Sequence, residues 1–125
     1  MAIQINKRTK YGYDIFDLSG DISFDDSRVI EDYVKQNAQG EFPTIILNLD
    51  KVPFINSSAL ALLVKLMNDL NKQNIAMYLM NANETIRGLL DITGTARYFK
   101  IIKNEDGLTH NLKQKELNKA LDMDD

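Results

Sequence analysis

The segment Thr44 to Leu49 is nearly continuous in apolar residues, with Ile45, Ile46, Leu47 and Leu49. A strand without polar alternation is buried on both faces, as a central strand of a sheet with crossover connections is. The residues after it narrow the choice further. Beyond Asp50, the loop Lys51-Val52-Pro53-Phe54-Ile55-Asn56 leads into Ser57-Ser58-Ala59-Leu60, the opening of a helix from about Ser58 to Asn71. Its apolar positions (Leu60, Leu62, Leu63, Val64, Leu66, Met67, Leu70) cover more than one face, so the helix is well buried. Strand, loop and helix together place Ser57 and Ser58 at the carboxyl end of a strand. Open α/β sheets carry their functional groups at that edge.

The flanking segments extend the pattern. Ile3 and Ile5 alternate with polar residues, Tyr13 to Leu18 reads as a second strand, and Gly12 marks a hairpin turn between them. Gly20 closes the second strand, and Asp21 to Asp26 is a polar connection. Val29, Ile30, Tyr33 and Val34 then recur at helical spacing, with Asp26 or Ser27 as the expected cap and Gly40 as the stop. After the central helix come a strand over Ile75 to Met80, a helix over Glu84 to Ile92 stopped by Gly94, and a short strand over Phe99 to Ile102. Leu108, Leu112, Leu117 and Leu121 suggest a closing helix, with a frayed acidic end from about Asp122. The expectation is one α/β domain over residues 1–125. It is a mixed sheet of about five strands with four helices, an antiparallel hairpin first and alternating strands and helices after it.

Composition removes several function classes. Fifteen basic and 18 acidic residues leave a net charge of −3, which argues against general nucleic-acid binding. No apolar run approaches the roughly 18 residues of a membrane span, and Met1 to Lys10 lacks a signal-peptide centre. Without cysteine there is no disulfide, thiol catalysis or cysteine-ligated metal. The simplest reading is a cytoplasmic protein with no membrane insertion. His110, the lone histidine, lies in a polar segment, so a Ser–His hydrolase or histidine metal site has little to build on. The glycines are scattered rather than grouped into a phosphate loop, and no cofactor is expected. Asp25 and Asp26 read as helix-start charges, and Met67, Met77 and Met80 as core. Asp91, Thr93 and Thr95 form a polar cluster that is either a helix end or part of the functional edge.

Asn56, Ser57 and Ser58 are all residue types that favour helix starts. The residues alone leave two readings open. One of the three caps the helix and the others fill its first turn, or a serine there is a switch. A phosphate at a helix N-terminus meets unpaired N–H groups and partial positive charge, stabilising by roughly 0.3–1 kcal/mol. It would add about −1.5 to −2 charge to the surrounding surface. The helix would tolerate it, and a partner docking there would not.

The stretch Leu47 to Leu63 resembles the signature of STAS domains, in particular the bacterial anti-sigma factor antagonists. Those carry a strand, an aspartate, an apolar loop, then Asp-Ser-Ser/Thr-Gly-Leu opening a helix. This chain has Asn56-Ser57-Ser58-Ala59-Leu60. Leu18-Ser19-Gly20-Asp21-Ile22 is similar to the family's strand ending in Gly-Glu/Asp-Leu/Ile. Leu89-Leu90-Asp91-Ile92-Thr93-Gly94 is similar to its third helix and Thr/Ser-Gly exit. The resemblance implies partner switching. An unphosphorylated antagonist binds an anti-sigma factor that is also a serine kinase, phosphorylation releases it, and a phosphatase resets it. By position the phosphoserine is Ser57, with Ser58 second to it. The implied partner-binding residues are Asp21, Ser23, Asn56, Ser57, Ser58 and Thr93. Two family acids are replaced here, by Asn56 before the serine and by Ser23 three residues after Gly20. Ala59 stands for glycine, a change that favours the helix. The resemblance admits two alternatives: an accessory subunit docked on the ATPase of a lipid-transport system, and an interaction module that is never phosphorylated.

Overall fold

The computed structural model describes residues 3–38 and 44–108. The first strand, β1 (Gln4–Lys10), pairs antiparallel with β2 (Tyr13–Ser19) through a two-residue turn. Tyr11 and Gly12 both have positive φ, at 55° and 81°. That pair of left-handed residues matches the twist of the flanking strands.

The remaining elements alternate: α1 (Phe24–Asn37), β3 (Thr44–Lys51), α2 (Ser57–Lys72), β4 (Ala76–Met80), α3 (Glu84–Ile92) and β5 (Lys100–Ile102). Short 3₁₀ turns lie at Ala96–Tyr98 and Glu105–Gly107. The five strands lie in sequence order, and β2 through β5 pair in parallel. Because right-handed crossovers are the rule and the order never reverses, α1, α2 and α3 all fall on one face. The core on that face joins Phe16, Leu47 and Leu79 of the sheet to Ile30, Leu63 and Leu90 of the three helices. The opposite face carries a second apolar cluster that includes Tyr13, Ile15, Ile46, Tyr78, Ile102 and Leu108. The central strand β3 contributes Ile45 and Leu47 to the first and Ile46 to the second, the double burial its composition demanded.

One helix start differs from the sequence expectation, and the other falls within it. The cap of α1 is Ser23, not Asp26 or Ser27. The Ser23 and Asp26 side chains form a reciprocal capping box. Ser27 lies a turn inside, fully buried, its hydroxyl donating to the Phe24 carbonyl at 2.6 Å. The helix α2 begins at Ser57, with Asn56 as its cap. Among the described residues there are three α-helices rather than four. The closing helix expected around Leu112 to Leu121, the frayed end, His110 and the Gly40 stop lie outside the described residues.

Candidate functional site

Parallel pairing puts the carboxyl ends of β2, β3 and β4 along one edge of the sheet, and the loops leaving them are tied together there. The Gly20 N–H donates to the Lys51 carbonyl at 3.0 Å, the Ile22 N–H to Phe54 at 2.9 Å, and the Asn56 N–H to Ile22 at 3.1 Å. Ile22 and Ile55 form an isolated parallel bridge, and both side chains are buried. The third loop joins through Asn83, the cap of α3. Its amide donates to the Pro53 carbonyl at 3.1 Å while its Oδ1 accepts the Ile86 N–H at 2.8 Å.

This stitching determines which side chains face out. The loop before α2 is apolar, and part of it packs inward. Val52 and Ile55 are buried, whereas Phe54 is 47% exposed. Phe24, at the start of α1, is 44% exposed. Asp21, Ser23, Ser57 and Ser58 are exposed along the same loops, and Asn56 is half-buried.

The hydrogen bonds separate the two serines. Asn56 Oδ1 accepts the Ala59 N–H at 2.8 Å and the Ser58 hydroxyl at 3.0 Å. Ser58 is therefore held in the cap. Ser57 is the first residue of the helix, exposed, and its hydroxyl has no hydrogen-bond partner among the described residues. The Ser23 hydroxyl is engaged by Asp26 Oδ2 at 2.8 Å. The Ser23 backbone N–H, then the Ser23 hydroxyl and the Ile3 N–H, hold the Asp26 carboxyl below its ordinary range against the cost of burial. Ala59 is fully buried, so its methyl points into the core.

Of the residues expected together, Asp21, Ser23, Asn56, Ser57 and Ser58 share this edge. Thr93 does not. It caps the far end of α3, about 15 Å along the helix axis from Asn83 at 1.5 Å per residue. Its hydroxyl donates to the Leu89 carbonyl at 2.7 Å, and Gly94 follows with φ 70°. Asp91, Thr93 and Thr95 are thus a helix end. Asn83 is the residue that sequence reading misses. Its signal is an asparagine directly before the α3 pattern, the same cap type as Asn56.

A second polar system crosses the other face of the sheet near the same edge. Arg8 grips Asp17 with two nitrogens, at 2.8 and 3.2 Å. Asn48 donates to Asp17 at 2.8 Å, and Asn81 donates to Asn48 at 2.9 Å. Glu105, arriving from beyond β5, is held by Arg8 and by Lys10 at 2.8 Å. For Asp17 the cost of burial is outweighed by Arg8 and Asn48, so its carboxyl lies below its usual range. Arg8, then Lys10, pulls Glu105 down to about 2. Beside this ladder is an open cleft of about 460 Å³, lined in part by Asn6, Asp17 and Asp50.

Among the described residues no cluster of carboxylates or histidines could hold a metal ion, and no helix is long and apolar enough to cross a membrane.

Known proteins share this geometry. A family model described as STAS domain matches residues 4–108. No curated protein sequence matched the chain. Among solved structures, the chain is similar to an anti-sigma factor antagonist from Mycobacterium paratuberculosis, at 19% identity and TM-score 0.68 over 84% of this chain and 89% of that one. It is similar to the Bacillus anti-sigma factor antagonist SpoIIAA in its unphosphorylated form, at 21% identity and TM-score 0.62 over 84% and 91%. A sulfate transporter family protein from Wolinella succinogenes is similar at 17% identity and TM-score 0.69 over 90% and 93%. At such identities these structures share the fold, which antagonists and transporter proteins both use. With the family model covering most of its length, the chain belongs to the STAS domain family.

Proposed function

We propose that this STAS domain is an anti-sigma factor antagonist. It acts in the cytoplasm by binding rather than by catalysis. Its partner is an anti-sigma factor that is also a serine kinase, and it docks through the edge formed by the loops after β2 and β3. Ser57 is the residue the kinase modifies, and a phosphatase resets it. The observation that carries this reading is the division of labour at the head of α2. Asn56 engages the Ser58 hydroxyl and leaves that of Ser57 exposed on the first helical residue.

The energetics fit a switch. A phosphate on Ser57 sits at a helix N-terminus, where the dipole favours it, so the fold survives. A partner covering Ser57 must desolvate about −1.5 to −2 charge that has no partner of its own. Inverting a 99:1 bound population requires about 5.5 kcal/mol, within reach of a phosphate at an interface centre.

A second reading is favoured by one observation. Ser23 and Asn56 stand where the antagonist pattern has acids, so two negative charges of that pattern are missing at this edge. A STAS accessory subunit of a lipid-transport system needs neither those acids nor phosphorylation. Mass spectrometry of the protein from its native cells, with bound partners identified in the same sample, tests both. Phosphate on Ser57 beside a serine kinase is expected. Unmodified protein bound to a transporter ATPase would overturn the antagonist reading.

A further inference from the structure

The end of β3 is irregular just before the loop that leads to Ser57. Asp17 of β2 lies opposite Asn48, and Ser19 lies opposite Lys51. Two steps along β2 thus match three along β3, so β3 carries one extra residue between Asn48 and Lys51. A bulge of this kind disrupts the ladder, bends its strand and re-aims whatever follows. Pairing with β4 gives no support there, because it ends at Asn48 opposite Met80.

The Asn48 side chain holds the bulge from within. Its Oδ1 accepts the Asp50 N–H at 3.2 Å, closing a local turn two residues on. The same oxygen accepts the Asn81 amide at 2.9 Å, while the Asn48 amide donates to Asp17 at 2.8 Å. One side chain therefore ties the ends of β2 and β4 to the bulge of the strand between them. Its two neighbours are themselves fixed. Arg8 clamps Asp17, and Asn81 sits in a left-handed turn at φ 63° with its N–H on the Ile102 carbonyl. Beyond the bulge, the chain is tied at Lys51, Pro53 and Phe54 by Gly20, Asn83 and Ile22. The direction in which β3 releases the chain is thus passed on to the head of α2.

We propose that Asn48 is a positioning residue for Ser57: by pinning the bulge from the opposite face of the sheet, it sets where that serine is presented. The proposal rests on the reading of Ser57 as the residue a partner kinase modifies, and adds a side chain outside the docking edge that controls it.

Substitution can separate a positioning role from a merely structural one. Asn48→Asp keeps acceptor oxygens for Asp50 and Asn81 but sets a second carboxylate against Asp17. Asn48→Leu removes every bond. Both should lose stability in denaturant, the first through charge repulsion and the second through unpaired polar groups. Only the leucine variant should release the bulge. Its Asp50 amide should exchange about tenfold faster relative to that of Leu47, the amide resonances of Ser57 and Ser58 should shift, and kcat/KM for modification of Ser57 by the serine kinase captured from native cells should fall about tenfold. Asn48→Asp should keep all three near their original values. Asn48→Ala removes the same bonds and stands in if the leucine variant does not fold. Glu105→Gln, which touches the ladder but not the bulge, should change none of them. Equal losses in the aspartate and leucine variants, or Ser57 resonances that stay in place when the Asp50 amide is released, would overturn the proposal. A native-cell preparation in which no kinase modifies the unaltered protein would remove the kinase reading alone, since the exchange and resonance measurements still decide the role of Asn48.

Discussion

Two polar regions sit within a few residues of each other along the strand ends, on opposite faces of the sheet. They differ in where their hydrogen bonds go. Across the face opposite α1, α2 and α3, Arg8, Asp17, Asn48, Asn81 and Glu105 bond to one another. On the helix side, Ser23, Asn56 and Asn83 serve as caps and stitches, and the Ser57 hydroxyl is left over. The first region joins strands that are distant in the chain. The second uses its capping side chains to hold the loop ends and leaves the Ser57 hydroxyl without a partner among the described residues. Polarity at an edge is therefore a poor guide to reactivity; what matters is which group remains uncommitted once the fold has satisfied the rest.

The contrast can be broken most severely at Ser57. Ser57→Asp should weaken the partner complex by about 100-fold or more, through a buried uncompensated charge, while leaving thermal unfolding nearly unchanged. Calorimetric titration beside a melting curve checks both halves; a variant that binds normally would remove Ser57 from the interface.

Next in size is the support beneath it. Ile55→Ala should cost roughly 2–5 kcal/mol by opening a cavity under the stitched loops. Hydrogen exchange would rise first at Ile22 and Asn56 and leave the amides of β1 protected. Equal loss at both regions would mean the edge is not a separate unit.

A smaller change sharpens the division between the serines. Asn56→Ala should lose the cap, about 1 kcal/mol of stability, and release the Ser58 hydroxyl. In a kinase assay, modification should then spread from Ser57 to Ser58. Asn56→Asp should restore the cap and the preference.

The Arg8–Glu105 end of the ladder should respond least, and only to pH. The folded pKa of Glu105 is depressed to about 2, so its contribution is complete above the ordinary glutamate range and fades as pH falls from about 4.5 towards 2. Its carboxylate is a third exposed, so after solvent screening the effect is on the order of 1 kcal/mol. Glu105→Gln should flatten that part of the stability–pH curve, read by denaturant unfolding, and leave partner binding unchanged.

Much of this architecture is legible from local pattern. The alternation around Gly12 marks the hairpin, and the period of α2 marks a buried helix. The start of α1 is harder to read. Asp21, Ser23, Asp25, Asp26 and Ser27 all suit a helix cap, and only the Ser23-x-x-Asp26 spacing of a capping box ranks them. The Ile22–Ile55 bridge agrees: it draws Ile22 inward and turns the chain at the next residue, Ser23. Thr93 shares with Ser57 only the chemistry of a hydroxyl at a helix end. A helix has two ends, and α3 meets the stitched loops with Asn83.

What the amino-acid sequence determined alone is therefore local: the strand and helix periods, the left-handed turn, and the serines at a helix start after a buried strand. These follow from backbone sterics and side-chain periodicity within a few residues. Tertiary structure decided the rest. It placed the helices on one face, carried Thr93 away from Ser57, and joined Arg8 to Glu105 across 97 positions. Those outcomes depend on partners that meet only when crossover handedness and strand order bring distant segments to the same edge.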